Sequence, residues 1–394
     1  MRILCVTPWF PAFPGAQSGS FILDSVEALQ ALGHSVKVLV AQPWHPRWGG
    51  LLHPDWGRPR LRPETHAASL GLVQVGYLSI PRNYLRSVSD RAFGWRVRPA
   101  IERAAQSFKP DVILAHTELV GKATVAARRA AGVPVAVVLH GINYTPRLNT
   151  PAQLLAIGKM LSDADRVILV GEPLREHFAP IAGRADHFRI VHNGFRMPAA
   201  EACGERASWK SPLRFISVSN LHEGKGIDLN LQALGRLYQQ GLTDWTYTIV
   251  GDGREHAALE AMASELGIAD QVRFAGAVDH DAVYGYLAKA DVFVLPSYRE
   301  AFGVAYLEAM ACGLLTVGVQ GQGPSAFVRD GESGLLVEPK DVDKLVACLR
   351  KIFENPAGMQ TIAKMGREIV RGEFTWQRHA EHLTEILQQI AKVT

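Results

Sequence analysis

From its first residue the chain alternates between short apolar runs and segments whose apolar residues recur at helical spacing. MRILCVTP is nearly continuous in apolar residues, PAFPGAQSGS is a loop, FILDSVEALQALGH is amphipathic with a helical period, and SVKVLVAQ is apolar again. Strand, helix, strand is a βαβ unit, which makes a parallel sheet, and strands this apolar need helices on both faces. Further strands are expected at DVILAH, VPVAVVLH, RVILVGE and FRIVHN. After FRMPAAEACGERASWKSP the alternation restarts, with LRFISVSN, TYTIVGDG, VRFAGAV, DVFVLPS and LLTVGVQ as strands. GIDLNLQALGRLYQQ, REHAALEAMASELG and AFGVAYLEAMACG are the helices between them. The fold class expected is therefore α/β, with two Rossmann-like domains at residues 1–200 and 205–374. An amphipathic helix at 375–394 is expected to cross back onto the first domain. Open α/β sheets bind ligands beyond the C-terminal ends of their strands, so two facing sheets would hold a ligand in a cleft between the domains.

Composition supports this reading. A chain of 394 residues, 47% hydrophobic and 20% charged, is ordinary globular material. That is enough for two cores of roughly 150 to 200 residues each. No apolar run approaches the roughly 18 residues a membrane span needs, and the apolar start is broken by Pro8, so the expected location is cytoplasmic. Cys5, Cys203, Cys312 and Cys348 are scattered without a CxxC pair. This argues against a disulfide framework and a zinc site, and for a reducing compartment. The net charge of +4 conceals an asymmetry: residues 1–200 carry 23 Lys and Arg against 13 Asp and Glu, leaving 19 against 25 in the remainder.

The stretch SYREAFGVAYLEAMACG raises a chemical problem. Glu308 lies inside an apolar helix, where an ionised carboxylate costs several kcal/mol unless something pairs with it. Glu300 stands in the loop before that helix. If the helix begins near Phe302, Glu308 is roughly 7.5 Å along its axis, and both carboxylates reach the same place. Between them the amides of Phe302, Gly303 and Val304 are first-turn donors without intrahelical acceptors, a natural seat for an anion.

This succession resembles the E-x7-E element of retaining GT-B glycosyltransferases, whose E-G-F-G-x-x-x-x-E-A-M-A-x-G stands here as EAFGVAYLEAMACG. The resemblance, to glycosyltransferase family 4, extends over nearly the whole chain. It includes PGAQSGSF with GHSVKVL, HG at 140–141, HNG at 192–194, LHEGKG at 221–226, VGDG at 250–253, FAGAV at 274–278 and DGESGLLVEP at 330–339. It implies a GT-B fold, with the first domain binding the acceptor and the second binding a UDP- or GDP-sugar. The sugar would pass to a hydroxyl acceptor, a lipid-linked or polysaccharide glycan precursor, with retention and without a metal or other cofactor. By the same resemblance Glu308 accepts the ribose hydroxyls, Glu300 contacts the donor sugar, and the amides of Phe302, Gly303 and Val304 hold hydroxyls and phosphate oxygens. Lys225 neutralises the departing diphosphate. His140 lies beside the reacting sugar, Gly19 lets the backbone approach the phosphates, and Val278 lines the base pocket. Three positions depart from the family pattern: Asn220 where an Arg is common, Asn143 where Asp or Glu is common, and Ser325 where Glu is common.

Each residue also has a plainer reading: a solvated lysine at 225, a structural histidine at 140, a core valine at 278. The DxD strings Asp163/Asp165, Asp279/Asp281 and Asp341/Asp343 could suggest a metal-bound diphosphate, but all three stand at helix boundaries, where Asp caps amides or favours the dipole. Residues 82–103 interleave Arg82, Arg86, Arg91, Arg96 and Arg98 with Tyr84, Leu85, Phe93 and Trp95. That pattern fits a peripheral contact with anionic membrane or a lipid-diphosphate acceptor, and equally a solvated helix face. No nucleic-acid partner is expected. The rival readings are a nucleotide-sugar 2-epimerase or phosphorylase on the same scaffold, and a non-catalytic nucleotide-sugar binding module.

Overall fold

Seven parallel strands form the sheet of the first half: β1 (Arg2–Thr7), β2 (Ser35–Trp44), β3 (Val73–Leu78), β4 (Val112–His116), β5 (Val135–Leu139), β6 (Arg166–Leu169) and β7 (Phe188–Ile190). Every residue of β4 and β5 is buried, as the unbroken VILAH and VAVVL runs require of a sheet covered on both faces. The connecting helices are α1 (Ser20–Ala31), α2 (Arg86–Phe108), α3 (Glu118–Ala131), α4 (Pro151–Asp163) and α5 (Glu172–Ala182). Strand order is β3-β2-β1-β4-β5-β6-β7, so the direction of winding reverses between β1 and β4.

The second half repeats the plan with β8 (Leu213–Val218), α6 (Ile227–Gln239), β9 (Trp245–Val250), α7 (His256–Glu265), β10 (Val272–Gly276), α8 (His280–Leu287), β11 (Val292–Val294), α9 (Val304–Ala311), β12 (Leu315–Val319) and β13 (Leu335–Val337). Helices α10 (Val342–Glu354), α11 (Pro356–Glu373) and α12 (Trp376–Ala391) complete the chain. This sheet runs β10-β9-β8-β11-β12-β13, reversing between β8 and β11. The computed structural model describes residues 1–13, 16, 19–44, 61, 66, 68–78, 86–142, 150–197, 203 and 209–391. It divides into two compact units, Met1–His192 with Trp376–Thr394, and Asn193–Thr375.

Two strands, β3 and β13, were not expected. Val73 at the edge of the first sheet is exposed, and Gln74 and Gly76 interrupt the apolar pattern, while β13 is only three residues long. Helix α12 packs on α1 within the first unit. His379 holds it there, with Nδ1 donating to the His192 carbonyl (2.8 Å) and Nε2 2.9 Å from the Ser25 hydroxyl. His34 Nε2 meets the Thr384 hydroxyl at 2.9 Å. Burial drives the His379 pKa down to about 4, so the ring is neutral and its Nε2 accepts.

The expectation of unpaired cysteines is overturned. Cys203 and Cys312, separated by 109 residues, form a disulfide with Cα atoms 4.9 Å apart. Long-range pairing of this kind carries no spacing signature. Cys5 and Cys348 are free thiols, and burial raises each pKa to about 12.

Candidate functional site

In the second unit the side chains expected to carry chemistry gather at the C-terminal ends of β8 and β11, where the winding reverses. An interior polar cluster fixes these strand ends. The fully buried Asn230 of α6 donates from Nδ2 to the Val294 carbonyl of β11 (3.0 Å) and to the Tyr247 hydroxyl of β9 (2.8 Å). The loop after β8 is tied to the loop after β11, because the Gly224 carbonyl accepts from the Tyr298 amide (3.0 Å) and the Ser297 hydroxyl (3.1 Å). These bonds bring Lys225 to Glu300, with Nζ 2.8 Å from Oε2 and the two side chains only 18% and 14% exposed.

Helix α9 begins at Val304, one turn past Glu300, with Gly303 as its N-cap. Gly303 has φ 92°, a conformation that strains other residues. A Cβ there would lie 2.6 Å from the Tyr306 ring and 3.2 Å from Glu300 Cγ. The tight turn thus folds Glu300 back over the helix start. The Phe302 ring is buried against Phe327, with centroids 5.5 Å apart, so that residue anchors the turn from the core side. Val304 is half-buried at the helix start, and Val278 is half-buried in the loop after β10.

Glu308 answers the question posed by its position with a partner the sequence did not reveal. His280, the first residue of α8, places Nε2 2.7 Å from Glu308 Oε1, and the carboxylate is 5% exposed. Glu308 Oε2 has no hydrogen-bond partner among the described residues. In the sequence this imidazole stands between the aspartates of VDHDAV, with nothing local to tie it to Glu308. Gln322 is a second residue not foreseen: its Oε1 accepts from the Glu300 amide (3.1 Å), and the Gly323 amide donates to the Glu300 carbonyl (2.9 Å).

The family-divergent positions are mostly visible. Asn220 is exposed in the loop after β8, with its carbonyl accepting from the His222 amide. The Ser325 hydroxyl accepts from the Gly321 amide (2.9 Å), so it shapes its own loop. Asn143 lies outside the described residues, as do Pro14, Gly15, Gln17 and Ser18 of the first loop and Arg82, Tyr84 and Leu85 of the basic segment. Among the aspartate strings, Asp341 caps α10 by accepting from the Lys344 amide, and Asp165 accepts from the Val135 amide and pairs with Arg128. Asp163 pairs with Lys159, and Asp279 is the N-cap residue of α8 but makes no side-chain cap bond.

In the first unit a second cluster forms where β1, β4 and β5 end. His140, just past β5, stacks on His116 of β4, with His140 Nε2 2.9 Å from His116 Nδ1 and rings 15° from parallel. Phe21 also packs against His140, with centroids 4.8 Å apart and the rings tilted by 56°. Gly19, N-cap of α1 with φ 81°, presses its backbone on Phe10, where a Cβ would sit 2.6 Å from the Phe10 nitrogen. Burial lowers the His116 pKa to about 3 and pushes His140 well below the ordinary imidazole range, with repulsion from neighbouring histidines adding to both. Both rings are neutral at physiological pH. His140 Nδ1 and the Thr117 hydroxyl are buried without hydrogen-bond partners among the described residues, and Thr117 has φ 81°. His116 was not anticipated, since DVILAH reads as an ordinary buried strand.

Two Rossmann-like units in tandem, with paired carboxylates and a lysine at the second unit's switch point, are the architecture of a GT-B glycosyltransferase. Comparison with known proteins agrees. The model for "Glycosyl transferase 4-like domain" matches residues 18–194, and that for "Glycosyl transferases group 1" matches residues 205–369. The chain belongs to the glycosyltransferases of family 4. It is 26% identical to a glycogen synthase of Mycobacterium tuberculosis, over 98% of this chain and 94% of the relative. It is 28% identical to a GDP-mannose-dependent alpha-(1-6)-phosphatidylinositol monomannoside mannosyltransferase of Mycolicibacterium smegmatis, over 66% and 72% of the two chains. Its fold matches HepE of Anabaena in complex with UDP, with TM-score 0.73 and 20% identity over 99% of this chain and 100% of that one. No helix among the described residues is long and apolar enough to cross a membrane.

Proposed function

We propose that this transferase moves a hexosyl or related unit from a UDP- or GDP-sugar to a hydroxyl of a lipid-linked or polysaccharide precursor, with retention of configuration and without a metal. The observation that carries this reading is the convergence of Lys225, Glu300 and the start of α9 on one strand-end site, with Glu308 in the same helix. Glu308 Oε2 accepts the ribose diol while Oε1 keeps its bond to His280. The amides of Gly303 and Val304 receive phosphate oxygens at the positive end of α9. Lys225 turns from Glu300 to the diphosphate as charge develops on the leaving group, freeing Glu300 for the sugar hydroxyls. The same-face route, in which the departing phosphate takes the acceptor proton, is supported by Lys225 and the α9 amides, groups that serve a leaving phosphate. His140, neutral, orients a sugar hydroxyl.

The names of the relatives support both bases, one structure holding UDP and one relative depending on GDP-mannose. Peripheral contact of residues 82–103 with the inner face of an anionic membrane would bring the enzyme to a lipid-linked acceptor. The test is incubation with labelled UDP- and GDP-sugars, alongside thermal shifts with UDP and GDP. Release or transfer of the sugar from one of them is expected. Saturable nucleotide binding with no turnover would replace this reading by that of a binding module, which the exposed neutral Asn220 favours. No binding at all would remove both.

A further inference from the structure

Between α2 and α3 of the first unit lies a cavity of about 540 Å³, within the range of small-molecule sites. Its lining includes Phe93, Trp95 and Arg98 of α2 and Leu119, Lys122 and Ala126 of α3. Phe93 is buried, whereas Trp95 is 76% exposed, an indole that pays for contact with water unless something covers it. The slot starts three residues beyond His116, along the first turns of α3, and so belongs to the same end of the sheet as the His116–His140 stack. Its walls are apolar and two of its residues are cations. Arg98 pairs with Glu102 in an exposed ion pair, of the kind that yields readily to a stronger anion. Together α2 and α3 carry eight Lys and Arg against three Asp and Glu, so the field around the slot is positive.

A neutral glycan would have no use for this combination of apolar lining and cations, and a polynucleotide would need a long basic track rather than a short apolar slot with two cations. We infer that the slot takes the hydrocarbon chain of an amphiphilic acceptor whose phosphate head is met by Arg98 and Lys122, with Trp95 covering the chain at its junction with the head. This rests on the lipid-linked acceptor of the function proposed above and names where that acceptor is gripped. The commitment is to a single molecule in the slot and not to a flat contact with bulk membrane, because a concave volume of this size accommodates one chain.

The experiment is calorimetric titration of the full-length protein with dodecyl phosphate below its micellar concentration. Inorganic phosphate serves as the head alone, and dodecyl maltoside as the chain with a neutral head. Saturable binding of dodecyl phosphate is expected, with each comparator weaker by about tenfold or more, as loss of a charged hydrogen bond or of the chain would give. Ala126→Trp, at an exposed position, fills the slot, and Lys122→Glu reverses the charge of one of its cations; each should weaken dodecyl phosphate by about tenfold. Thermal shifts with UDP and GDP should be unchanged in both variants, which also shows that they are folded. Equal affinity of wild type and Ala126→Trp, or equal affinity for the maltoside, would overturn the inference. So would sedimentation with phosphatidylglycerol vesicles in the absence of any dodecyl phosphate binding, since that is a flat membrane face. Loss of amphiphile binding in the variants of a protein that ignores UDP and GDP would keep the slot and remove only the donor.

Discussion

Replacing Gly303 by alanine tests the turn on which the second-unit site is built. The residue has φ 92°, and forcing an L-residue into the left-handed region costs about 1–2 kcal/mol. The added Cβ would stand 2.6 Å from Tyr306 Cδ2 and 2.9 Å from Cε2, a ring that is fully buried and whose hydroxyl donates to the Leu295 carbonyl. The ring cannot swing into solvent, so the overlap becomes an overpacking cost of about 1–3 kcal/mol. Together these predict a loss of about 2–5 kcal/mol in the second unit. Hydrogen exchange of the α9 amides reads the opening energy of that unit without interference from the first. Gly303→Asn separates the two causes, because asparagine tolerates the backbone conformation but carries the same Cβ. If overlap dominates, Asn and Ala should be alike; if the backbone dominates, Asn should recover about 1 kcal/mol. An alanine variant within about 0.5 kcal/mol of wild type would refute the reasoning, since surface changes without a mechanism already scatter that far.

Glu308→Gln keeps the shape and an oxygen for His280 while removing the charge, and should weaken UDP or GDP by about 1–2 kcal/mol in direct titration; undiminished affinity would end the ribose assignment. Reducing the Cys203–Cys312 bond, which spans 109 residues, should lower the stability of the second unit by about 3–5 kcal/mol, seen as a lower urea midpoint in the presence of a phosphine reductant. Identical midpoints with and without reductant would count against a role for the bond. Acid should loosen the first unit through its buried neutral histidines. The His379 pKa is about 4 in the folded chain and near 6.5 when unfolded, so its stabilisation is complete above pH 6.5 and is lost as pH falls towards 4. At pH 4 the loss from this ring alone is about 3 kcal/mol, and His379→Gln should flatten the acid limb of a stability–pH curve.

Much of the architecture was legible because it depends on local chemistry. Runs such as VILAH, VAVVL and LTVGV read as buried strands, and the amphipathic segments between them as covering helices, so the βαβ order and the restart near residue 205 follow from hydrophobic period and element length. The edge strands β3 and β13 escaped because an edge is half-exposed or short, and the pattern fades with burial. The carboxylates of the site were legible too: Glu300 and Glu308 flank one helix start, and their proximity is a matter of helical rise.

What the chain determined by itself, then, is the alternation of strands and helices, the turn at Gly303 and the spacing of two acids around it, since each depends on residues within about two turns of one another. Tertiary structure alone decided which distant groups those acids meet. His280 reaches Glu308 across 28 residues, Lys225 reaches Glu300 across 75, and Cys203 finds Cys312 across 109. The stack of His116 on His140 is of the same kind, made by two neighbouring parallel strands whose ends are adjacent only once the sheet is assembled. Hydrophobic period specifies which face of an element is buried, but not which polar side chains on separate elements come to lie within a hydrogen bond of each other; that depends on strand order and register, which the whole fold sets at once.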